Sequence, residues 1–373
     1  MNSYIIMNYY IIPTNNINIK LNMCTSSDKL EPYISYSFIF YINNIYKQLI
    51  QLQDNSDEII TINYVNKIVN PFEFIYTNVP GSTISVSKVK PDAIIFFELL
   101  EIFQTFNIND MLVLNNTMNI AHLTHNYTST TYLLNMLRED HMDTVISEEF
   151  HFDNIYNLFI KQYYPHKLDL LICEFYPNDY SDINKYIYNI ILVLLIISKY
   201  QINRGMSIIK IDNILYKPII DVIFILASMY DKIYLVKPSI SNITTTERYL
   251  LCKGFNEKLN SKTLVSIVNN LTTNIMNGNN VYSLIDNELP YYLLNKIDES
   301  NLVIGQQQLE AYDQIINIFK NKNRDERLDN LKKTHIQKCI QWCEKNQLPH
   351  NKFIDKINIF LTGKEKVIEE ISI

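Results

Sequence analysis

The stretch KPSISNITTTERYLLCKGF, Lys237–Phe255, decides how the chain folds. A short apolar run, Ile233–Val236, leads into it, a polar loop without glycine fills its middle, and a second apolar run, Arg248–Cys252, follows. The loop is too short to hold a crossover helix, so the two runs pair directly as antiparallel strands. Glu247 stands at the lip of the second strand, and a lone carboxylate there asks for a reason.

Upstream, the periodicity alternates. Residues following Pro91 (DAIIFFELLEIFQTF) have helical spacing, with Pro91 read as a first-turn proline. Strands are expected at Met111–Asn115, Asp143–Ser147, Leu168–Glu174 and Met206–Ile211. Helices are expected at Leu123–Arg138, Asp153–Gln162, Ile183–Tyr200 and Tyr216–Met229, with Gly205 read as the residue just past the long apolar helix. Alternating strands and helices imply a parallel sheet covered on both faces. A doubly wound α/β sheet with one antiparallel edge strand is the class I methyltransferase (Rossmann-like) architecture. It is expected over residues 86–258, after an N-terminal extension (1–85) and before a C-terminal helical region (259–373).

Composition narrows the class further. The chain has 373 residues, 47% of them hydrophobic, enough to bury a sizeable core. Its 33 basic and 39 acidic residues mean that a polyanion must be held by a local basic patch and not by the overall field. Five cysteines without a paired framework favour a reducing compartment. The longest apolar run, from Tyr186, falls short of the roughly 20 residues a bilayer demands and reads as a buried helix. The N-terminal YIIMNYYIIP lacks the basic region and cleavage site of a signal peptide.

Residues 203–256 resemble the end of the FtsJ-like (RrmJ-type) ribose 2′-O-methyltransferases, including relatives in large cytoplasmic DNA viruses. The shared pattern is a glycine-preceded strand ending in lysine (GMSIIK), a helix, a strand running into Lys-Pro, a Ser-rich loop, a glutamate and a Tyr-rich strand. The resemblance implies methyl transfer from S-adenosylmethionine to a ribose 2′-hydroxyl of RNA, with mRNA caps as one substrate. It also implies company with other RNA-processing or capping enzymes in the cytoplasm (for a viral chain, the host cytoplasm, virus factory or virion), without a membrane.

By the same resemblance, Lys210 matches the family's central lysine, Glu247 its closing glutamate, and Glu174 stands where the family has an aspartate. The longer side chain shifts that carboxylate in a site that works by alignment. The family's first lysine aligns with Glu98, a reversal of charge, and Lys90 or Lys88 could supply the amine from the helix start. Candidate cofactor contacts are Asn115, Asn116 and Asp153. The family's glycine-rich turn corresponds to MLVLNNTMNIAHLTHNY, and no glycine occurs between Gly81 and Gly205. A second reading therefore stands beside the first: the same fold emptied of its cofactor turn and kept as an RNA- or protein-binding platform.

Simpler readings cover other features. His335, Cys339 and Cys343 at helical spacing, with Ile336 and Ile340, describe an amphipathic helix burying two thiols in preference to zinc. The basic run Asn321–Lys338 also contains acids, as a solvated helix face does, although it offers a surface for RNA. Tyr163, Tyr164 and Tyr176 are candidates for base stacking.

Overall fold

A computed structural model describes residues 7–14, 19–53, 64–110, 116–138, 141–162, 164–175, 182–212, 214–256, 279–320 and 325–351. Its strands are β1 (Asn8–Ile12), β2 (Leu21–Ser26), β3 (Asn119–Leu123), β4 (Thr144–Glu148), β5 (Leu168–Cys173), β6 (Gln201–Ile211), β7 (Tyr230–Lys237), β8 (Arg248–Phe255) and β9 (Asn280–Ile285). Its helices are α1 (Tyr36–Gln53), α2 (Ile95–Thr105), α3 (Tyr127–Arg138), α4 (Phe152–Tyr156), α5 (Ile183–Tyr200), α6 (Lys217–Met229), α7 (Tyr291–Lys320) and α8 (Asp325–Lys345).

Seven strands form one sheet in the order β1-β7-β8-β6-β5-β3-β4. Strands β4, β3, β5 and β6 run parallel, while β8 is antiparallel to both of its neighbours, β6 and β7. A reversed strand inserted beside the last parallel strand is the class I methyltransferase arrangement, and the chain has that Rossmann-like α/β fold. The reversed strand is not at the edge, as the sequence suggested. The edge belongs to β1, which pairs antiparallel with β7 and comes from the segment expected to be an extension.

Two apolar layers cover the sheet. One holds α5 and α6, whose Ile190–Ile197 and Ile219–Ala227 runs are buried against β5, β6 and β7. Asp182 starts α5 by accepting hydrogen bonds from the Asn184 and Lys185 amides at 3.1 and 3.2 Å. Helix α5 is long and apolar enough to cross a membrane, yet 78% of it is buried inside the fold. The second layer holds α2 and α3, with Trp342 of α8 packed on Phe97 of α2. Pro91 lies ahead of α2 and not in its first turn.

The first parallel strand departs from expectation. Met111–Asn115 lies outside the described residues, and the strand is β3, Asn119–Leu123, with its helix beginning at Tyr127. Carboxylates from elsewhere hold its start: Asp143 accepts from the Met118 amide at 2.9 Å, and Asp169 from the Asn119 amide at 2.8 Å. The helix expected at Asp153–Gln162 is a short α turn followed by a π turn, Asn157–Lys161. Beyond the sheet, β9 pairs with β2 in a region read as wholly helical. His335, Cys339 and Cys343 are buried, with His335 Nδ1 2.9 Å from the Ile68 carbonyl and Cys339 near that of Pro71.

Gly205 is not a helix cap but an interior residue of β6, and the left-handed residue is Arg204, at φ 65°. A Cβ on Gly205 would lie 2.4 Å from Nε2 of Gln201 and 2.9 Å from the Ile202 carbonyl. That Gln201 amide donates to the carbonyls of Leu168, Asp169 and Met206 at 3.0–3.1 Å, stitching β5 to β6. Gly205→Ala is therefore expected to lower stability by about 1–3 kcal/mol, the usual cost of overpacking. Urea unfolding measures it, and an unchanged midpoint would contradict this account of the glycine.

Candidate functional site

The carboxyl ends of the parallel strands are where open α/β sheets bind ligands. At that edge Lys210, near the end of β6, reaches three carboxylates. Its Nζ lies 3.0 Å from Oε1 of Glu174, just past β5, 3.1 Å from Oε2 of Glu98 on α2, and 3.5 Å from Oε2 of Glu247, just before β8. Lys210, Glu98 and Glu174 are buried, while the side chain of Glu247 retains 26% exposure. Glu247 thus faces the buried ammonium from the solvent side, which gives the acid at the lip of the strand a role.

Hydroxyls complete the cluster. Tyr249, the cross-strand partner of Lys210, donates its phenol to Oε2 of Glu98 at 2.6 Å, and Ser241 donates to Oε1 at 2.5 Å. His125, in the turn after β3, places Nδ1 3.3 Å from Oε2 of Glu174. Burial opposes the charge on Lys210, but Glu98, Tyr249, Glu174 and Glu247 outweigh it and hold the amine well above its usual pKa. Burial likewise opposes ionisation of Glu98, and Lys210 with the Ser241 and Tyr249 hydroxyls brings its carboxyl below the usual range. For Glu174 burial prevails and its pKa is raised, with Lys210 and His125 offsetting only part of the cost.

The loop that carries Glu247 is fastened at both ends. Lys237 is buried and donates to the carbonyls of Asn242 and Thr245 at 3.0 and 2.9 Å. Burial lowers its pKa to about 8 even with Glu247 and Glu98 nearby. Arg248 is buried too, with Nε on the Thr246 carbonyl at 3.0 Å and Nη1 on the Ser300 hydroxyl at 2.9 Å. On the α2 side, Glu101 accepts from the Ser239 amide and hydroxyl at 3.0 and 2.6 Å. Sequence reasoning missed Lys237, Arg248 and Glu101 as positioning residues. The Lys-Pro at the end of β7 was the available signal for Lys237.

Other sequence candidates fall elsewhere. Lys90 and Lys88 are exposed, and no contact places either in the cluster; the position they were to complete is filled by Glu98. Asn115 lies outside the described residues. Asn116 is exposed before β3, at the amino end of the sheet and so remote from the ligand edge; this corrects its reading as a cofactor contact. Asp153 is exposed in the first turn of α4, which follows β4 at the carboxyl side. Tyr164 is buried against Phe159 and Tyr200, which removes it as a stacking platform, and Tyr163 and Tyr176 lie outside the described residues.

S-adenosylmethionine, the cofactor that the resemblance implies, can be tested against the turn after β3. The backbone offers little: none of residues 123–127 has positive φ, and the Thr124 amide already donates to the Glu148 carbonyl at 3.1 Å. The side chains offer more. The Thr124 hydroxyl is buried without a hydrogen-bond partner among the described residues, and Glu148 ends β4, the strand flanking β3 on one side. Hydroxyl and carboxylate groups suit a ribose and a cationic sulfonium. These groups fit the cofactor in kind, with side chains standing where a glycine turn has bare backbone.

No family model matches the chain, and no curated protein was found similar to it. Among solved structures it is similar to one from Plasmodium falciparum named as a ribosomal RNA methyltransferase, at 15% identity and TM-score 0.34, covering 44% of this chain and 97% of that one. A Corynebacterium glutamicum structure named as a spermidine synthase aligns at 9% identity and TM-score 0.31, covering 51% and 76%. A Listeria monocytogenes structure named as a class I S-adenosylmethionine-dependent methyltransferase aligns at 11% identity and TM-score 0.28, covering 66% and 92%. The fold assignment rests on strand order and direction, not on these distant likenesses.

Glu98→Gln keeps the shape and removes the charge. It is expected to cost about 1–3 kcal/mol, the scale of a hydrogen bond to a charged group. Because the folded pKa of Glu98 is depressed, its contribution is full above the ordinary glutamate pKa and is lost as pH falls through the folded value. The stability gap between wild type and variant should thus close on acidification. Denaturant titrations across acidic pH check this, and a gap that widens toward acid would contradict it.

Proposed function

We propose that the chain is an RNA ribose 2′-O-methyltransferase using S-adenosylmethionine, with mRNA cap structures as one substrate. The observation that carries this reading is the meeting of Lys210, Glu174 and Glu247 at the carboxyl ends of β5 and β6 and the start of β8. Methyl transfer to a ribose hydroxyl needs a poorly acidic oxygen aligned for attack and relieved of its proton. Held protonated, Lys210 is a fixed cation that stabilises charge developing on that oxygen, as preorganised donors do. Glu247, the partly exposed member, is the carboxylate placed to take the proton. Thr124 and Glu148 would hold the cofactor, which supplies the electrophilic methyl group when bound.

A second reading has its own observation. Glu98 occupies the place of a family lysine, and the Lys210 amine already faces three carboxylates, as in a structural ion cluster. On that reading the fold serves as a non-catalytic RNA- or protein-binding subunit beside other RNA-processing enzymes.

Two measurements separate them. Calorimetric titration with S-adenosylhomocysteine should show saturable binding if the chain is an enzyme and no heat if it is a platform. With capped and uncapped RNA, wild type should transfer methyl groups and Lys210→Ala should lose about 10²- to 10³-fold in rate, the usual worth of one preorganised donor at a developing oxyanion. Wild-type silence toward both RNAs would overturn the enzyme reading, and undiminished transfer by Lys210→Ala would remove Lys210 from it.

A further inference from the structure

Strand β1 closes the sheet on one side only. Its register puts Tyr9 opposite Val236 and Ile11 opposite Tyr234, and in the next pair of strands Lys232 lies opposite Lys253. Alternation along a strand sends Tyr9, Ile11, Lys232, Tyr234 and Lys253 to one face, the side of α2. Tyr10 and Ile12 go to the other face, where they join the core with α5 and α6. On the α2 side the helix stops at Thr105, and Tyr9 and Ile11 stay 48% and 57% exposed.

Three rings gather there. Phe106, just past α2, lies 4.7 Å from Tyr234 and 5.4 Å from Tyr9, centroid to centroid, and Tyr9 lies 6.1 Å from Tyr234. The next rung carries the two lysines. Like charges directly opposite each other across a ladder destabilise a sheet. Lys253 also donates to the Phe106 carbonyl at 3.1 Å, which brings its amine beside the rings. Burial and then the charge of Lys232 lower its pKa. Asp231, next to Lys232, alternates to the opposite face. An exposed Tyr9 over the partly buried rings of Phe106 and Tyr234, beside two opposed cations on a chain of net charge −6, favours a partner that is both planar and anionic.

We infer that this face of β1, β7 and β8 is a docking platform for single-stranded RNA, with bases stacking on Tyr9 and Tyr234 and phosphates meeting Lys232 and Lys253. It shares RNA as partner with the proposed function but needs neither cofactor nor turnover. It therefore stands or falls independently of methyl transfer.

The test is fluorescence anisotropy with a labelled oligouridylate of about ten nucleotides, within the usual site size of such platforms, and no cofactor present. Wild type should bind the single strand more tightly than a duplex of equal length. Tyr9→Ala should weaken binding roughly 5- to 160-fold, the range for loss of one stacked base, and Tyr9→Phe should restore it. Lys232→Ala should weaken binding and lower the slope of log K against log salt by about 0.7, one phosphate contact on a single strand. Circular dichroism and melting confirm that each variant is folded, and Lys232→Glu serves should the alanine variant melt early. Absence of oligonucleotide binding, or equal affinity and salt slope across folded variants, overturns the inference. So does a sedimentation shift from dimer to monomer in Tyr9→Ala without change in RNA affinity, because the face would then seat a second copy of the chain.

Discussion

A buried ammonium facing three carboxylates is the interaction on which the rest of the structure depends. Lys210 joins β6 to α2 through Glu98, to the end of β5 through Glu174 and to the start of β8 through Glu247. Removing such charges from water costs several kcal/mol per ion, and mutual attraction repays it only when geometry is good and remaining lone pairs are satisfied. Tyr249 and Ser241 supply that satisfaction at Glu98, and His125 lies against the second oxygen of Glu174. Were a lysine in place of Glu98, two ammonium groups would compete for the same acids, and Lys210 would be freer to lose its proton.

The cluster also sets the shape of the ligand edge. Because Glu98 and Glu101 both sit on α2, one turn of helix grips the loop from Ser239 to Ser241, while Lys237 and Arg248 clamp its ends from within. Glu247 is thereby delivered to the rim by a loop with little freedom of its own. This rigidity serves preorganised chemistry and passive docking equally well. The turn after β3 and the charge at position 98, not the order of the strands, are what separate the two functional readings.

Much of this was legible in the chain, and for a physical reason. The pairing of β7 with β8, the buried helix α5, and the strand-end places of Lys210 and Glu247 follow from local periodicity and a short connection. Strand β3 was not anticipated because MLVLN is a more continuous apolar run than NIAHL, whose His122 is nonetheless fully buried. What fixes the start of β3 is a pair of aspartates about 25 and 50 residues away, Asp143 and Asp169, which no window on the strand reveals. The edge strand β1 pairs with β7 and β2 with β9, partners far along the chain, and both were invisible for the same reason. At Glu98 the sequence showed the reversed charge but not the two hydroxyls and the amine that make it tolerable.

The most direct test of the central role of Lys210 is a double-mutant cycle on unfolding free energy between Glu98→Gln and Lys210→Met. Groups in one ion and hydrogen-bond network couple by about 0.5–3 kcal/mol, whereas distant independent sites add to within about 0.3–0.5 kcal/mol. If the cluster acts as one unit, the coupling should lie in the upper part of that range, with the double variant less destabilised than the sum of the single ones. Additivity within about 0.5 kcal/mol would contradict the dependence of the fold on Lys210 and its carboxylates.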